Sequence, residues 1–156
     1  MNTLHAEYAE AIDAQSDVIY GILSDYQHGH PAILPKQYFT EFNVEQGGKG
    51  AGTVVNGAVK VYGTTYPFHL VVTEPEPGRM MVETDIDTQQ VTAFTLEPLD
   101  DGRTRVTIAS DFPVSPGFAG LMERLVKPAV TRRIYKAELA QLAGFVRTMP
   151  ASSPGL

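Results

Sequence analysis

Over residues 53–62 the chain alternates: Val55, Val59 and Val61 share one parity, and Asn56 and Lys60 take the other. Over 66–73, Phe68, Leu70 and Val72 alternate with His69. A period of two marks a half-buried strand, because successive side chains point to opposite faces. The same reading predicts strands over 38–45, 80–86, 91–97 and 105–112. In the 80–86 segment it puts Met80, Val82, Thr84 and Ile86 on the inner face and sends Glu83, Asp85 and Asp87 to solvent. Val106 and Ile108 face inward, Arg105 and Thr107 outward. The breaks are turn chemistry: the glycines of 47–50, Gly63, Pro75-Glu76-Pro77-Gly78 and Asp101-Gly102. Connections this short favour antiparallel neighbours, and one apolar face per strand describes a single sheet covered on one side.

The ends of the chain supply the cover. Tyr8 and Ile12 share a parity that Glu10 interrupts, so a first strand there is poorly marked. Ser16 can cap a helix over about 17–24, in which Val18, Ile19, Ile22 and Leu23 recur at helical spacing. Pro31 and Pro35 bracket Ala32-Ile33-Leu34, which allows only a short second helix. Near the C-terminus, Ser115 as N-cap and Pro116 at the first helical position open a long helix. Leu121, Leu125, Tyr135, Leu139, Leu142 and Val146 fall near one of its faces. Pro128 should kink or split it, Pro150 should end it, and residues 150–156 read as a disordered tail. Residues 1–149 therefore make one α+β domain with its helices on one face of the sheet.

Four stretches carry a likeness to a known family. They are Ile12-Asp13-Ala14 leading into the segment 18–25, then Gly47-Gly48-Lys49-Gly50-Ala51-Gly52-Thr53-Val54, Glu74-Pro75-Glu76-Pro77-Gly78-Arg79, and Arg103-Thr104-Arg105-Val106-Thr107. With the order of elements, these make the chain resemble the START-related superfamily of lipid-transfer proteins and polyketide cyclases (SRPBCC) over about 4–148. The resemblance implies a helix-grip fold: a curved antiparallel sheet of about seven strands around a long C-terminal helix, with two short helices after the first strand. It also implies a hydrophobic cavity between sheet and helix. The superfamily shares no catalytic motif that transfers to these residues.

Composition narrows the partners. With 18 acidic and 12 basic residues the formal charge is −6, wrong for a duplex-binding module. The chain has no cysteine, which excludes disulfides, thiolate zinc sites and thiol catalysis and fits the cytoplasm. No segment approaches the roughly 18 apolar residues of a membrane span. The N-terminus lacks the apolar core of a secretory signal. No cofactor or metal is expected, nucleic acid is not a partner, and a homodimer stays open.

The candidate chemistry is sparse. His28 and His30 have metal-pair spacing, but no further ligand accompanies them at motif spacing, so His30 reads better as a hydrogen-bonding group at a cavity mouth. The glycines of 48–52 precede a strand rather than a helix, which makes them a turn and not a phosphate loop. Arg133 and Lys136 read as a solvated stripe. Arg132 falls on the apolar stripe three residues before Tyr135, where a guanidinium can reach a ligand carboxylate. The inward apolar set is Tyr8, Phe42, Val55, Val59, Phe68, Leu70, Val82, Ile108, Leu121, Leu125, Tyr135 and Leu139. Tyr8, Thr84 and Tyr135 add polar handles, the usual composition of a small-molecule site. Gly57, inward between Val55 and Val59, marks a bulge or a close approach to the backbone.

The expectation is binding or transport of a hydrophobic small molecule, with no catalytic residue assigned. The alternative is a cyclase or dehydratase working by proton transfer in the same cavity, with His30, Tyr135 or Arg132 as acid, base or anchor. An interaction module is disfavoured, because the outward strand residues Asn56, Lys60, His69, Glu83, Asp85, Arg105 and Thr107 are polar.

Overall fold

The structure is a computed structural model that describes residues 3–149; the expected tail at 150–156 lies outside the described residues. The elements run β1 (Thr3–Ile12), α1 (Ser16–Ser24), α2 (Gly29–Ile33), β2 (Phe39–Gln46), β3 (Val54–Val61), β4 (Thr64–Glu76), β5 (Met80–Asp85), β6 (Val91–Pro98), β7 (Thr104–Pro113) and α3 (Gly117–Thr148). All pairings are antiparallel, in the spatial order β1-β7-β6-β5-β4-β3-β2. Strands β2 to β7 form a meander, as the short turns require. Since β1 and β2 occupy opposite edges, the chain between them must cross the sheet, and α1 and α2 make that crossing. The result is a curved seven-stranded sheet with a long C-terminal helix, the helix-grip arrangement.

Cross-strand pairing carries one parity around the inner face. Tyr8 opposes Ile108, Ile108 opposes Phe94, Phe94 opposes Met81, Val72 opposes Glu83, and Val55 opposes Leu70. These side chains, except the carboxylate, join Ile19, Leu23, Tyr26, Ile33, Leu139 and Leu142 in one hydrophobic core. Burying such side chains stabilises the fold by about 1.5–3 kcal/mol each.

Pairing corrects the expected parity of β5. Met81, Glu83 and Asp85 are the buried residues, while Val82 and Thr84 sit half-buried on the opposite face. The sequence Met80-Met81-Val82 is apolar on both parities, so alternation has no sign there. The β4–β5 register, with a shift between Thr73 and Glu76, decides it. Asp85 turns inward to hold the β5–β6 turn, its carboxylate accepting the backbone N–H groups of Asp87 and Thr88 at 2.9 Å.

Helix ends also differ from expectation. Gln15 and Pro116 are the N-caps, and neither side chain closes a hydrogen bond to its helix. Ser115 instead donates its hydroxyl (2.7 Å) and its N–H (3.1 Å) to Glu123. Helix α3 runs through Pro128 without splitting. Proline removes one backbone hydrogen bond at a cost of about 3 kcal/mol, an isolated loss in a helix whose second half is anchored by Ile134, Tyr135, Leu139 and Leu142. The first half is not so anchored. Leu121 and Leu125, expected inward, are 53% and 68% exposed.

The glycine turn at 47–52 docks on the end of α1. Gly50 N–H donates to the Ser24 carbonyl (2.9 Å), and Tyr26 N–H to the Gly48 carbonyl (2.8 Å). Glu74 ties this loop down by accepting Ala51 N–H at 2.9 Å and the Tyr20 hydroxyl at 2.6 Å.

Gly57 is a close-approach residue. A Cβ there would stand 2.1 Å from the Glu41 carbonyl oxygen and 2.5 Å from the Phe68 ring. Gly57→Ala is expected to destabilise by about 1–3 kcal/mol, the usual range for overpacking. Gly21, exposed in α1, has nothing within 4 Å of such a Cβ. Gly21→Ala should therefore stabilise by about 0.5–1 kcal/mol through helix propensity. Urea unfolding midpoints of the two variants should move in opposite directions.

Candidate functional site

The covered face carries a polar constellation inside the apolar core. His30, on α2, is 3% exposed, and its Nδ1 lies 2.7 Å from the Leu23 carbonyl oxygen. A carbonyl only accepts, so Nδ1 carries the proton, and Nε2 is left toward Glu83 Oε1 at 3.5 Å. The Tyr26 hydroxyl donates to the same Glu83 oxygen at 2.7 Å. Three rings hold the imidazole: Tyr26 stacks on it at 4.5 Å between centroids, Phe42 lies parallel at 6.3 Å, and Phe94 meets it edge-on at 5.5 Å. Burial, and then the charge of Glu83, push the Tyr26 phenol well above its usual pKa, so it stays a donor.

A second group comes from β6, β7 and α3. Thr92 Oγ1 lies 2.5 Å from Ser110 Oγ, and Ser110 Oγ is hydrogen-bonded to the Tyr135 hydroxyl. Burial pushes the Tyr135 phenol up to about 12. One turn along α3, Glu138 is 2% exposed. None of the hydrogen bonds among the described residues reaches its carboxyl. Burial, then the charge of Glu83, hold the Glu138 carboxyl well above the ordinary range, where it is a neutral acid and a hydrogen-bond donor.

The expected lining residues separate into two sets. Val55, Ile108, Tyr135 and Leu139 lie in the core, with Tyr8, Phe42, Val59, Phe68 and Leu70 packed against it and His30 among them. Val82, Thr84, Leu121 and Leu125 lie away from that interior. So does Arg132, which is exposed and donates its Nε–H to the Glu7 carbonyl of β1 at 3.1 Å. His28 and His30 face different surroundings: the His28 side chain is 80% exposed and sits 3.5 Å from Asp25.

Tyr26, Glu83 and Glu138 escaped sequence reasoning. Tyr26 had no periodic context in its loop. Alternation alone puts Glu83 on the solvent parity, where the β4–β5 register turns it inward. Glu138 had a usable signal, since it sits three residues after Tyr135 and four before Leu142, within the inward stripe.

Two clefts open at the margins of this interior. One, of about 310 Å³, lies under Pro113–Arg124 at the start of α3. The other, of about 390 Å³, lies between the β3–β4 hairpin and α3, lined by Tyr38, Lys60, Val61, Tyr62, Val130 and Arg133 among others. Among the described residues no helix is long and apolar enough to cross a membrane.

Several solved structures share this arrangement. The solution structure of the KanY protein is 25% identical, with a TM-score of 0.82, over 94% of this chain and 99% of that one. The Zhui aromatase/cyclase from a Streptomyces species is 20% identical, with a TM-score of 0.80, over 99% of this chain and all (100%) of that one. A START superfamily protein from Mycobacterium smegmatis is 17% identical, with a TM-score of 0.69, over 94% and 99%. At 20% and 17% identity these last two show the fold alone. No curated protein matches the chain. A family model does match, over residues 3–146, and with the helix-grip sheet and its covered inner face the chain belongs to the family described as polyketide cyclase/dehydrase and lipid transport.

Proposed function

We propose that the protein binds a hydrophobic small molecule (a lipid, a polyketide or an aromatic compound) between the sheet and the C-terminal helix, and does so in the cytoplasm. The observation that carries this is Glu138. A carboxyl buried without a protein partner costs the fold several kcal/mol, and an apolar residue of similar volume would remove that cost. A ligand that accepts its hydrogen bond gives the group a use. Val55, Ile108, Leu139, Phe42, Phe68 and Leu70 provide the apolar walls, and Tyr135 and His30 the further polar contacts. Family membership supports the same reading.

A second reading, proton-transfer chemistry of the cyclase or dehydratase kind, is favoured by one feature: a base and an acid come from two neighbouring helices, His30 from α2 and Glu138 and Tyr135 from α3. His30 Nε2, left without a proton by the Nδ1–H bond to the Leu23 carbonyl, can take a proton from the carbon beside a carbonyl. Neutral Glu138 and the Tyr135 hydroxyl can donate hydrogen bonds to the oxygen on which negative charge then develops.

Native mass spectrometry of the protein purified from its own host should show a stoichiometric apolar adduct. A panel of lipids and aromatic compounds should yield at least one that raises Tm by about 5–10 °C at a hundredfold excess over Kd. No adduct together with no thermal shift would sink the binding reading. For the enzymatic reading, His30→Gln and Glu138→Gln should each lower kcat on the identified compound by at least about a hundredfold. Unchanged turnover in both leaves a carrier.

Glu138 also gives a pH signature. A carboxyl whose folded pKa lies above its unfolded value contributes its stability in full below the unfolded value, and that contribution is lost as pH rises toward the folded value. Glu138→Gln has no such dependence. The variant should gain on wild type as pH rises from 5 toward 8, by up to about 1.4 kcal/mol per unit. Urea unfolding at pH 5, 6, 7 and 8 measures the gap; a gap independent of pH would show that the core does not hold Glu138 neutral.

A further inference from the structure

We propose that the cleft between the β3–β4 hairpin and α3 is a binding site for the anionic end of an amphipathic ligand, with Arg133 as the counter-charge and Tyr62 as the latch that the anion displaces. It extends the ligand-binding reading and rests on it for where the apolar body of the ligand goes.

Four observations converge on this cleft. First, its floor is continuous with the core: Tyr38, Val61 and Val130 line it and are also packed against the main hydrophobic cluster. A molecule seated in the cleft meets these apolar side chains below the polar rim. Second, its rim is cationic in a chain of net charge −6. Arg133 forms no ion pair with a carboxylate among the described residues, unlike Arg103 and Arg105. A guanidinium without a carboxylate, beside apolar surface, is suited to bidentate capture of a carboxylate, sulfonate or phosphate.

Third, what Arg133 does hold is a weak substitute. Its Nη1 donates to the Tyr62 hydroxyl at 3.4 Å, across the cleft. A neutral phenol at that distance is a poor partner beside an anion. Fourth, Tyr62 is placed at a conformational cost. It sits at the hairpin tip with φ of +49°, followed by Gly63 at +80°, and the residue remains 77% exposed. A bulky side chain in the left-handed region is uncommon, and such positions cluster at ligand clamps. Two-residue hairpin turns favour Asn, Asp or Gly at this position.

The test uses two fluorescent probes that differ by one group: 8-anilinonaphthalene-1-sulfonate and its uncharged counterpart N-phenyl-1-naphthylamine. Both are titrated into wild type, Arg133→Gln and Tyr62→Phe, with circular dichroism melts to confirm folding. Arg133→Gln should weaken the sulfonate probe roughly tenfold to a hundredfold, the range for a lost charge-assisted contact, and change the neutral probe by less than about twofold. Tyr62→Phe should tighten the sulfonate probe, because the guanidinium loses its resident partner. If Arg133→Gln leaves the sulfonate probe unchanged, or weakens both probes equally, the anion site is overturned while neutral-probe binding upholds the ligand-binding reading. If Tyr62→Phe fails to tighten the sulfonate probe, the latch is overturned. If neither probe binds wild type, the ligand-binding reading falls and takes this inference with it.

Discussion

The pairing of Val72 with Glu83 places a carboxylate on the covered face of the sheet, and the interior is organised around that one charge. An ion buried alone carries a penalty of several kcal/mol, and the fold reduces it with the hydroxyl that Tyr26 donates. Tyr26 reaches Glu83 from the loop after α1, and His30 from α2. Their placement requires the α1–α2 crossing to lie over β5 and β6 rather than at an edge. The glycine turn fixes that crossing through its backbone bonds to Ser24 and Tyr26. The same charge acts on the far wall, where it adds to burial in keeping Glu138 protonated.

The two halves of α3 do different work. From Ile134 onward the helix packs on β1 and α2 and closes the core. Before Pro128 it presents Leu121, Leu125 and Val126 to solvent, and Lys127 lies over the Phe112 ring at 4.6 Å. Polar groups for a ligand are thus concentrated under the anchored half, at Tyr135 and Glu138. The marginal cleft lies where the anchored half begins, at Val130 and Arg133. In the proposed binding mode a ligand would meet neutral hydrogen-bond donors inside and a cation outside, which suits a molecule with a carbonyl-bearing apolar body and an acidic end.

Much of this architecture is legible in local pattern. The strands from β2 to β7, the turns at Gly63, Pro75–Gly78 and Asp101-Gly102, and the inward parity of Val55, Leu70 and Ile108 follow from alternation and turn chemistry alone. Gly57 announces itself as a glycine on an inward parity, and the close approach of Glu41 is the reason. The candidate site is legible only in its apolar part. Its carboxylates were invisible because a charged residue in a strand is, on composition, a solvent residue. Asp85 and Glu83 overturn that prior by finding backbone N–H groups of the adjoining turn and a phenol 57 residues away in the chain.

The sequence by itself determined the meander of strands, the flanking helices and their order, and hence an α+β layout, because periodicity and turn residues act over a few residues; the first strand and the helix-grip arrangement rest on the resemblance. The tertiary structure decided which face of β5 is inside, since Met80 and Met81 make its pattern ambiguous and only the β4–β5 register resolves the sign. It decided that Leu121 and Leu125 stay exposed although they share a helical stripe with Leu139, because a stripe is buried only where something packs against it. It also decided that Glu138 is a buried neutral acid and Arg133 a guanidinium beside an open cleft, since burial and charge environment are properties of neighbours brought together by folding.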